Sequence, residues 1–397
     1  MKKLRLTALA VMALINSHAQ TALPDSGFKP RKLKLDEINL VSSYYQQQGD
    51  HAAVTGGIGS QQLTDIANSI EVKLLKYDKK LRKHDFAFEV GIDHYTSASS
   101  DKVDLKANSS ASHGDTRIYP TLSWSMENEQ KGNTISAALS SSTEYDYQSY
   151  GASIGYAQKT KNRMGEVAAK AQVYLDQVTL VNPVELRPPS SDPDDYHYGT
   201  AGRNTYSGSL SYSQIINKRT QLTLLADVIQ QEGFLSLPFH RVYLQDGSVQ
   251  QEKLPGSRLK IPVGARLNYF AGDRFIFKTY YRFYTDDWGL LSHTASLEMP
   301  VKISPFFSVA PFYRYYQQSA VDYFKAYREH TPADAFATSN YDLSEFSSHF
   351  LGLNVRFTPA KGIAGIRRFN MLELRYGHYS RTNNLNANVI SLNLRFK

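Results

Sequence analysis

Alternation of apolar and polar residues is the feature of this sequence that most restricts its fold. Successive side chains of a β-strand point to opposite faces, so strict alternation predicts a strand with one apolar and one polar face. The segment 259–269 has an apolar set at odd positions and a polar set at even positions, namely Leu259, Ile261, Val263, Ala265, Leu267 and Tyr269 against Lys260, Pro262, Gly264, Arg266 and Asn268. A tilted strand that crosses a membrane needs ~10 such residues, which this segment supplies.

The same alternation recurs along the chain and predicts sixteen strands. We place them at 37–47, 64–77, 84–97, 116–127, 132–144, 148–159, 165–177, 204–216, 220–232, 258–270, 274–287, 292–302, 306–318, 346–358, 370–381 and 387–397.

The lengths of the gaps between these strands distinguish a membrane β-barrel from a soluble β-sandwich. Long gaps follow only odd-numbered strands and fall at 48–63, 98–115, 178–203, 233–257 and 319–345, whereas most gaps after even-numbered strands are short. A soluble β-sandwich also explains alternation but has no reason to sort its loops in this way. Bacterial outer-membrane barrels have even strand numbers, short periplasmic turns and longer external loops. We therefore predict an all-β fold, a transmembrane antiparallel up-and-down β-barrel of about 16 strands.

The N-terminus has the features of a signal peptide. Lys2, Lys3 and Arg5 precede an apolar run at 6–15, and Ala19 ends a cleavage site of small residues. The apolar run is too short for a spanning helix, which needs ~20 residues. We predict a signal peptide at 1–19, a periplasmic N-terminal segment at 20–36 and an outer-membrane barrel at 37–397.

Charge and cysteine content exclude further classes. The chain has no cysteine, which rules out a disulfide framework and a lipid-anchored thiol. Its formal charge of +8 is dispersed rather than clustered, so in an exported chain we expect no nucleic-acid partner. An amphipathic final strand with Phe396 one residue from the end is typical of substrates of the outer-membrane assembly machinery. We therefore predict the outer membrane of a Gram-negative bacterium as the location, with outer-membrane lipid around the barrel.

Several long motifs resemble one bacterial family. They include "GDHAAVTGGIGSQQL" (49–63), "LPFHRVYLQDG" (237–247), "TSNYDLSEFSSHF" (338–350), "FNMLELRYGHYSRT" (369–382) and "LNANVISLNLRFK" (385–397). The chain resembles the family catalogued as domain of unknown function 3570, over essentially the whole mature sequence. The resemblance implies an outer-membrane protein found mainly in Bacteroidota, with no assigned activity and hence no catalytic residues to carry over. It also implies an extracytoplasmic redox setting, because such genes often neighbour a thioredoxin-like protein, a small lipoprotein and a flavin transferase.

Two loop motifs are candidate ligand sites. The stretch "VTGGIGS" (54–60) lacks the Lys-Ser/Thr of a phosphate loop and precedes a strand, so we expect a compact loop. The stretch 190–199 clusters Asp192, Asp194, Asp195 and His197, and its carboxylates could bind Ca²⁺, although they fit no loop signature of defined ligand spacing. Ordinary solvated loop residues are the alternative, and we expect no cofactor and no metal.

An enzyme would need a nucleophile, a base and an orienting group. The candidates at the barrel rim are Ser292, His293, His378 and Ser380, and alternation places both histidines on the lipid side. No Gly-x-Ser-x-Gly elbow is present. We therefore predict that the protein is not an enzyme.

The inward positions carry charges that differ between the two halves of the chain. In the C-terminal half the predicted pore-lining basic wall is Lys260, Arg266, Lys278, Arg282, Lys302, Arg314, Arg356, Arg375 and Arg395, against Asp286, Glu298 and Glu373. In the N-terminal half the predicted acidic wall is Glu71, Glu89, Asp93, Glu166, Asp176 and Asp227, with Glu127 and Glu144 also inward, against Lys73, Arg117 and Lys170. In a meander barrel the two halves face one another, so a basic wall would oppose an acidic wall. The alternative is that these charges pair as salt bridges.

The stretch "YYRFYTDDWG" (280–289) looks at first like an acid pair. On a strand, Asp286 would point into the lumen near Arg282 while Asp287 would enter an external turn, so the two cannot share one proton or metal. We assign Trp288, Tyr284 and Phe396 to the aromatic girdle and rim.

Three functions remain open from the sequence. The first is a porin-like channel for small polar solutes, with anions favoured by the basic wall, because a sixteen-stranded barrel encloses an aqueous lumen. The second is a plugged barrel that acts as a docking or assembly component of a cell-envelope complex, with a periplasmic protein or lipoprotein as the candidate partner. Its contact would be the long loops or the basic stretch 29–34, which otherwise serves as a solubilising tether. The third is a surface hydrolase.

Overall fold

The computed structural model describes residues 32–97, 113–187 and 198–397, and within them the chain forms a closed antiparallel barrel of sixteen strands. The barrel strands are β1 (Lys34–Gln48), β2 (Leu63–Tyr77), β3 (Lys83–Thr96), β4 (Gly114–Asn128), β5 (Asn133–Thr143), β6 (Tyr147–Lys159), β7 (Gly165–Thr179), β8 (Thr200–Asn217), β9 (Thr220–Gly233), β12 (Ser257–Ala271), β13 (Phe275–Asp286), β14 (Leu291–Glu298) continued by β15 (Val301–Lys302), β16 (Phe307–Gln318), β17 (Phe346–Phe357), β18 (Phe369–Arg381) and β19 (Asn386–Phe396). The predicted fold class is confirmed.

Each strand pairs with its sequence neighbour, and β1 closes the barrel against β19 with Ile38 opposite Phe396. Two details differ from the predicted pattern. β1 begins at Lys34, so the barrel takes in three residues of the predicted N-terminal segment, and the predicted strand at 292–302 is interrupted between β14 and β15. A small hairpin, β10 (Arg241–Tyr243) with β11 (Val249–Gln251), lies in the loop after β9 and breaks no barrel pairing.

Some predictions fall on residues outside the described ranges. The signal peptide at 1–19, residues 29–31 of the basic stretch 29–34 and the carboxylates of 192–195 belong to this group. Among the described residues, no helix has the length and apolar character needed to cross a membrane.

The outward face of the barrel is apolar and exposed on every side. Ile154 of β6 is 68% exposed, and Leu139, Leu210, Val228 and Leu351 are exposed on other strands. A soluble protein rarely leaves a continuous apolar surface of this kind uncovered. The barrel exterior is therefore a lipid-facing surface, and the long gaps after β1, β7, β9 and β16 lie at its external end.

Among the described residues, the clusters of buried hydrophobic side chains lie in the external loops. One cluster joins Leu254, Trp288, Leu290 and Val321, and a second joins Val242, Leu244 and Ala337. These clusters hold the external loops against one another at the end of the barrel, where the candidate site lies.

Candidate functional site

Four external segments pack together at the end of the barrel, at 49–62, 180–187, 234–256 and 319–345, and we call them the loop lid. Backbone pairing joins the last two, because Lys253 N donates to Ala337 O at 3.0 Å and Ala337 N donates back at 2.8 Å. Alternation is silent about loops, so nothing in the sequence pattern predicted this arrangement.

Arg241 links three segments of the lid. Its guanidinium is buried, with 5% of the side chain exposed, and donates to Glu185 from Nε at 2.5 Å and from Nη2 at 3.3 Å. Its Nη1 donates to the carbonyl oxygen of Val54 at 2.9 Å. The hydrogen bond from Arg241 holds the pKa of Glu185 below its ordinary value, so this carboxylate is charged at neutral pH.

Glu252 forms a second polar link inside the lid. This buried carboxylate accepts hydrogen bonds from Leu237 N at 2.8 Å and from the hydroxyl of Thr338 at 2.5 Å, with His240 Nδ1 at 3.5 Å. The contact with Thr338 joins the loop after β9 to the loop after β16. Buried charges are tolerated when they are hydrogen-bonded in this way, and their loss is costly.

The glycine-rich stretch after β1 is a compact loop, as predicted. Gly57 has φ +87°, and a Cβ at this position would lie 2.7 Å from the carbonyl oxygen of Ser339. The ring of His51 stacks on Tyr341 at 3.8 Å between ring centres. This loop therefore packs directly on the loop after β16.

Inward side chains of the barrel wall hold the lid in place. Arg203 of β8 donates to the carbonyl oxygens of Phe234 at 2.9 Å and Ser236 at 3.2 Å, and Gln318 of β16 donates to that of Ser344 at 2.6 Å. The lid thus contacts the lumen face at two separate strands of the barrel. A cavity of about 200 Å³ lies beneath it, against Arg203, Arg258 and Trp288.

The lumen below the lid has two walls of different side-chain size. The small-residue wall comprises inward positions of β5 to β8, namely Ser136, Ala138, Ser140, Gly151, Ser153, Gly155, Ala168, Lys170, Gln172, Ser207, Ser209 and Ser211. The arginine–aromatic wall comprises inward positions of β13 to β18, namely Tyr280, Arg282, Phe312, Arg314, Phe350, Arg375 and Tyr379. Two adjoining cavities of about 420 and 330 Å³ lie against the small-residue wall, and Lys170 lines both.

The predicted basic wall contains both paired and unpaired cations. Lys278 contacts Glu298 at 2.9 Å, Arg375 contacts it at 3.7 Å, and Arg356 pairs with Glu373. Arg375 also lies 3.9 Å over the ring of Phe312. Three other arginines have no ion pair among the described residues: Arg314 lies 5.1 Å over Phe350, Arg266 lies 5.7 Å over Tyr280, and Arg395 donates to Asn370 at 3.1 Å. Lys260, Arg282 and Lys302 have no ion pair with any residue that the structure describes.

The predicted acidic wall is similarly mixed. Asp93 pairs with Arg117, Glu71 lies 3.1 Å from Lys73, and Asp176 accepts a hydrogen bond from Tyr147. Within the described ranges Glu89, Glu166 and Asp227 form no ion pair. Some of the predicted wall charges therefore pair as salt bridges, while others remain unpaired within the described ranges. The pore-lining role of both walls stays a prediction.

Residues 284–289 lie at the rim, where Asp286 and Asp287 have different hydrogen-bond partners. Asp286 binds Arg258, with Nη2 at 2.5 Å, and accepts from Tyr284 at 2.6 Å, while Asp287 accepts from Leu259 N at 3.0 Å. The two carboxylates therefore have separate partners, as the strand geometry requires.

Trp288 does not belong to an exposed aromatic girdle. It is 3% exposed, donates from Nε1 to the carbonyl oxygen of Ser257 at 2.9 Å and lies under the guanidinium of Arg258 at 4.2 Å. The turn carries its side chain into the loop cluster rather than out to lipid, because apolar loop side chains are available to cover it. Of the other two residues assigned to the girdle and rim, Tyr284 binds Asp286, and Phe396 stacks on Phe369 at 4.9 Å.

The rim candidates lie on two strands, with Ser292 and His293 on β14 and with His378 and Ser380 at alternate positions of β18. Ser292 is buried on the inward face, whereas the adjacent His293 points outward, at 2.8 Å from the hydroxyl of Tyr281. His378 contacts Asn388 at 2.9 Å.

A cluster that the sequence reasoning missed lies at the external ends of β4 and β5. One carboxylate oxygen from each of Asp115, Glu144 and Asp146 lies within 4.8 Å of the others. Glu144 and Asp146 are close in sequence, whereas Asp115 is distant from both. The alternation pattern therefore does not reveal that Asp115 meets the turn after β5.

Taken together, the closed sixteen-stranded barrel, its lipid-facing exterior and its polar lumen define an outer-membrane β-barrel protein. The chain belongs to the family described as protein of unknown function DUF3570, whose profile matches residues 2–389. No protein of curated function matches the sequence at a significant level.

Solved barrels are similar at low identity. The outer membrane protein OpdK from Pseudomonas aeruginosa aligns at TM-score 0.41 and 8% identity, covering 91% of this chain and 97% of that one. A BenF-like porin from Pseudomonas fluorescens aligns at TM-score 0.41 and 11% identity, covering 91% and 98%. The ferric enterobactin receptor PfeA from Pseudomonas aeruginosa aligns at TM-score 0.46 and 10% identity, covering 88% and 54%. Likenesses of this size carry no weight for function.

Proposed function

We propose that this protein is a channel for small polar solutes across the outer membrane, with its external mouth restricted by the loop lid. The observation that carries the proposal is the asymmetry of the lumen. Serine, alanine and glycine on the small-residue wall leave the two adjoining cavities beside Lys170, whereas the opposite wall is filled by arginine and aromatic side chains.

Polar solutes suit such a path because hydroxyl groups replace part of their hydration. The cavity of about 420 Å³ is lined by Ser140, Ser142, Ser149 and Ser153, with Arg117 and Lys170. Serine hydroxyls both donate and accept hydrogen bonds, so they accept solutes of either polarity.

A preference for anions is the finer part of the proposal. Lys170 is exposed in the lumen, and Arg282 and Lys302 lack a carboxylate partner among the described residues. Cations that are not neutralised focus the field within a low-dielectric wall and raise the local concentration of anions.

The experiment is conductance of the purified protein in a planar lipid bilayer. We expect discrete open steps and a reversal potential, under a salt gradient, that reports anion preference. The double substitution Arg282→Glu with Arg314→Glu should shift the reversal potential toward cations. A bilayer that stays silent at every voltage would refute the channel.

A matched control changes the same number of charges outside the lumen. Lys79→Glu with Lys80→Glu lies in the exposed periplasmic turn between β2 and β3 and should leave the reversal potential unchanged. An equal shift in both double variants would show that net charge, rather than the lumen wall, sets selectivity.

The interlocked lid supports a second candidate, a closed barrel that docks a cell-envelope partner. This hypothesis predicts that the bilayer shows no conductance and that a periplasmic protein or lipoprotein co-purifies with the barrel. Altering the basic stretch 29–34 or the lid should then abolish the co-purification. Hydrolysis of lipid or peptide by the purified barrel, abolished by Ser292→Ala, would instead indicate a surface enzyme.

A further inference from the structure

We propose that Asp115, Glu144 and Asp146 form a Ca²⁺ site at the external rim of the barrel. Asp115 is the second residue of β4, and the other two belong to the turn between β5 and β6. One oxygen from each carboxylate lies within 4.8 Å of the others. Hard divalent cations take oxygen ligands from carboxylates gathered in this way.

A second observation distinguishes this cluster from ordinary surface acids. Asp146 is buried, with 7% of the residue exposed, and its Oδ2 has no hydrogen-bond donor among the described residues. A buried acceptor without a partner is costly, and a bound cation would satisfy it. Asp115, by contrast, accepts from Thr116 N at 2.6 Å and from Tyr145 N at 3.0 Å, and these bonds hold its carboxylate in place.

Among the described residues, no lysine or arginine forms an ion pair with these three carboxylates. Arg117 acts electrostatically on Glu144, but it is bound to the buried Asp93. Burial raises the pKa of Asp146 to about 6, and repulsion from Asp115 and Glu144 adds to the effect. Burial likewise raises the pKa of Glu144. A bound divalent cation would replace the repulsion among the three carboxylates with coordination by their oxygens.

A set of three protein carboxylates favours Ca²⁺ over Mg²⁺. Ca²⁺ takes ~6–8 oxygen ligands in flexible geometry, whereas Mg²⁺ demands near-ideal octahedral geometry, keeps several of its waters and is usually bound through one or two carboxylates. We therefore expect Mg²⁺ to bind more weakly at this site.

An ion here would join five neighbouring strands at the rim, β3 to β7. The hydroxyl of Tyr95 on β3 donates to Glu144, and Thr179 N of β7 donates to the carbonyl oxygen of Asp146 at 2.8 Å. The adjacent positions Ser142 and Ser149 line the cavity of about 420 Å³. Ca²⁺ would therefore stabilise the external end of the small-residue wall.

The probe for this site is Tb³⁺, a Ca²⁺ substitute whose luminescence is sensitised by a nearby tyrosine such as Tyr95. We expect the folded wild-type barrel in detergent to bind Tb³⁺ and to release it to Ca²⁺ at lower concentration than to Mg²⁺. Asp146→Asn and Glu144→Gln should each weaken Ca²⁺ competition roughly ten-fold or more, since affinity follows the number of charged ligands.

Asp65→Asn is the matched control. Asp65 is a half-buried rim carboxylate whose Oδ1 also lacks a partner among the described residues, but it belongs to no cluster of three. Heat-modifiable migration on a gel verifies that each variant is folded. Absence of sensitised luminescence in the wild type, or unchanged Ca²⁺ competition in both folded variants, would overturn the proposal.

Discussion

Removing Arg241 should open the loop lid and increase conductance. The side chain makes two hydrogen bonds to Glu185 and one to Val54, all within the lid. A hydrogen bond to a charged group contributes ~1.5–3 kcal/mol, and the pair with Glu185 is discounted because that carboxylate is 45% exposed. The loss on Arg241→Ala is therefore ~3 kcal/mol for the lid as a unit.

A change of ~3 kcal/mol corresponds to a ~100-fold shift of the opening equilibrium, because 1.4 kcal/mol is a factor of ten. We expect Arg241→Ala to show larger or longer conductance steps in the planar bilayer and faster cleavage of its external loops by limited proteolysis. Arg241→Lys keeps the charge but loses the planar fork, so its effect should be intermediate.

Arg328→Ala is the control for this prediction, since Arg328 is an exposed arginine in the same lid. It should leave both conductance and proteolysis unchanged. If the loops of Arg241→Ala are cleaved faster while conductance matches the wild type, the lid does not restrict the channel. If neither measurement changes, the estimate of what Arg241 contributes is itself refuted.

Three further predictions concern the lid and the rim. Gly57→Ala should loosen the lid by ~1–3 kcal/mol, seen as faster loop proteolysis, because alanine is strained at φ +87° and its Cβ would meet Ser339. Because the folded-state pKa of Asp146 is raised to about 6, the calcium-free protein should lose stability as pH rises from ~4 through 6, and saturating Ca²⁺ should abolish this loss in chemical unfolding. With Trp124→Phe leaving Trp288 as the single tryptophan, lipid-borne quenchers should barely affect fluorescence, whereas a girdle tryptophan would be strongly quenched.

The barrel was predictable because its strands obey a local rule. Side chains of Ile261 and Lys260 point to opposite faces for reasons of backbone geometry alone, and each strand repeats that rule independently of its neighbours. Because the long gaps follow only odd-numbered strands, their positions then indicated which end of the barrel is external. The predicted bounds therefore lie within a few residues of the observed strands.

The lid could not be predicted in the same way. Arg241 meets Glu185 across 56 positions of sequence, and Glu252 meets Thr338 across 86. Such contacts depend on which loops the closed barrel brings to one end. The alternation of apolar and polar residues carries no information about them. The same cause explains the wrong assignment of Trp288, whose environment is made by Leu254 and Val321 from other loops.

Sequence alone determined the strand count, the lipid-facing and lumen-facing positions and the unequal charge of the two halves, because the β-strand period of two is set by each residue and its neighbours. Tertiary structure alone decided which charges pair, where small side chains leave cavities and which carboxylates meet at the rim. Those properties require distances between strands and loops that only closure of the barrel establishes. The cluster of Asp115, Glu144 and Asp146 exists because the start of β4 and the turn after β5 close over the same point of the rim.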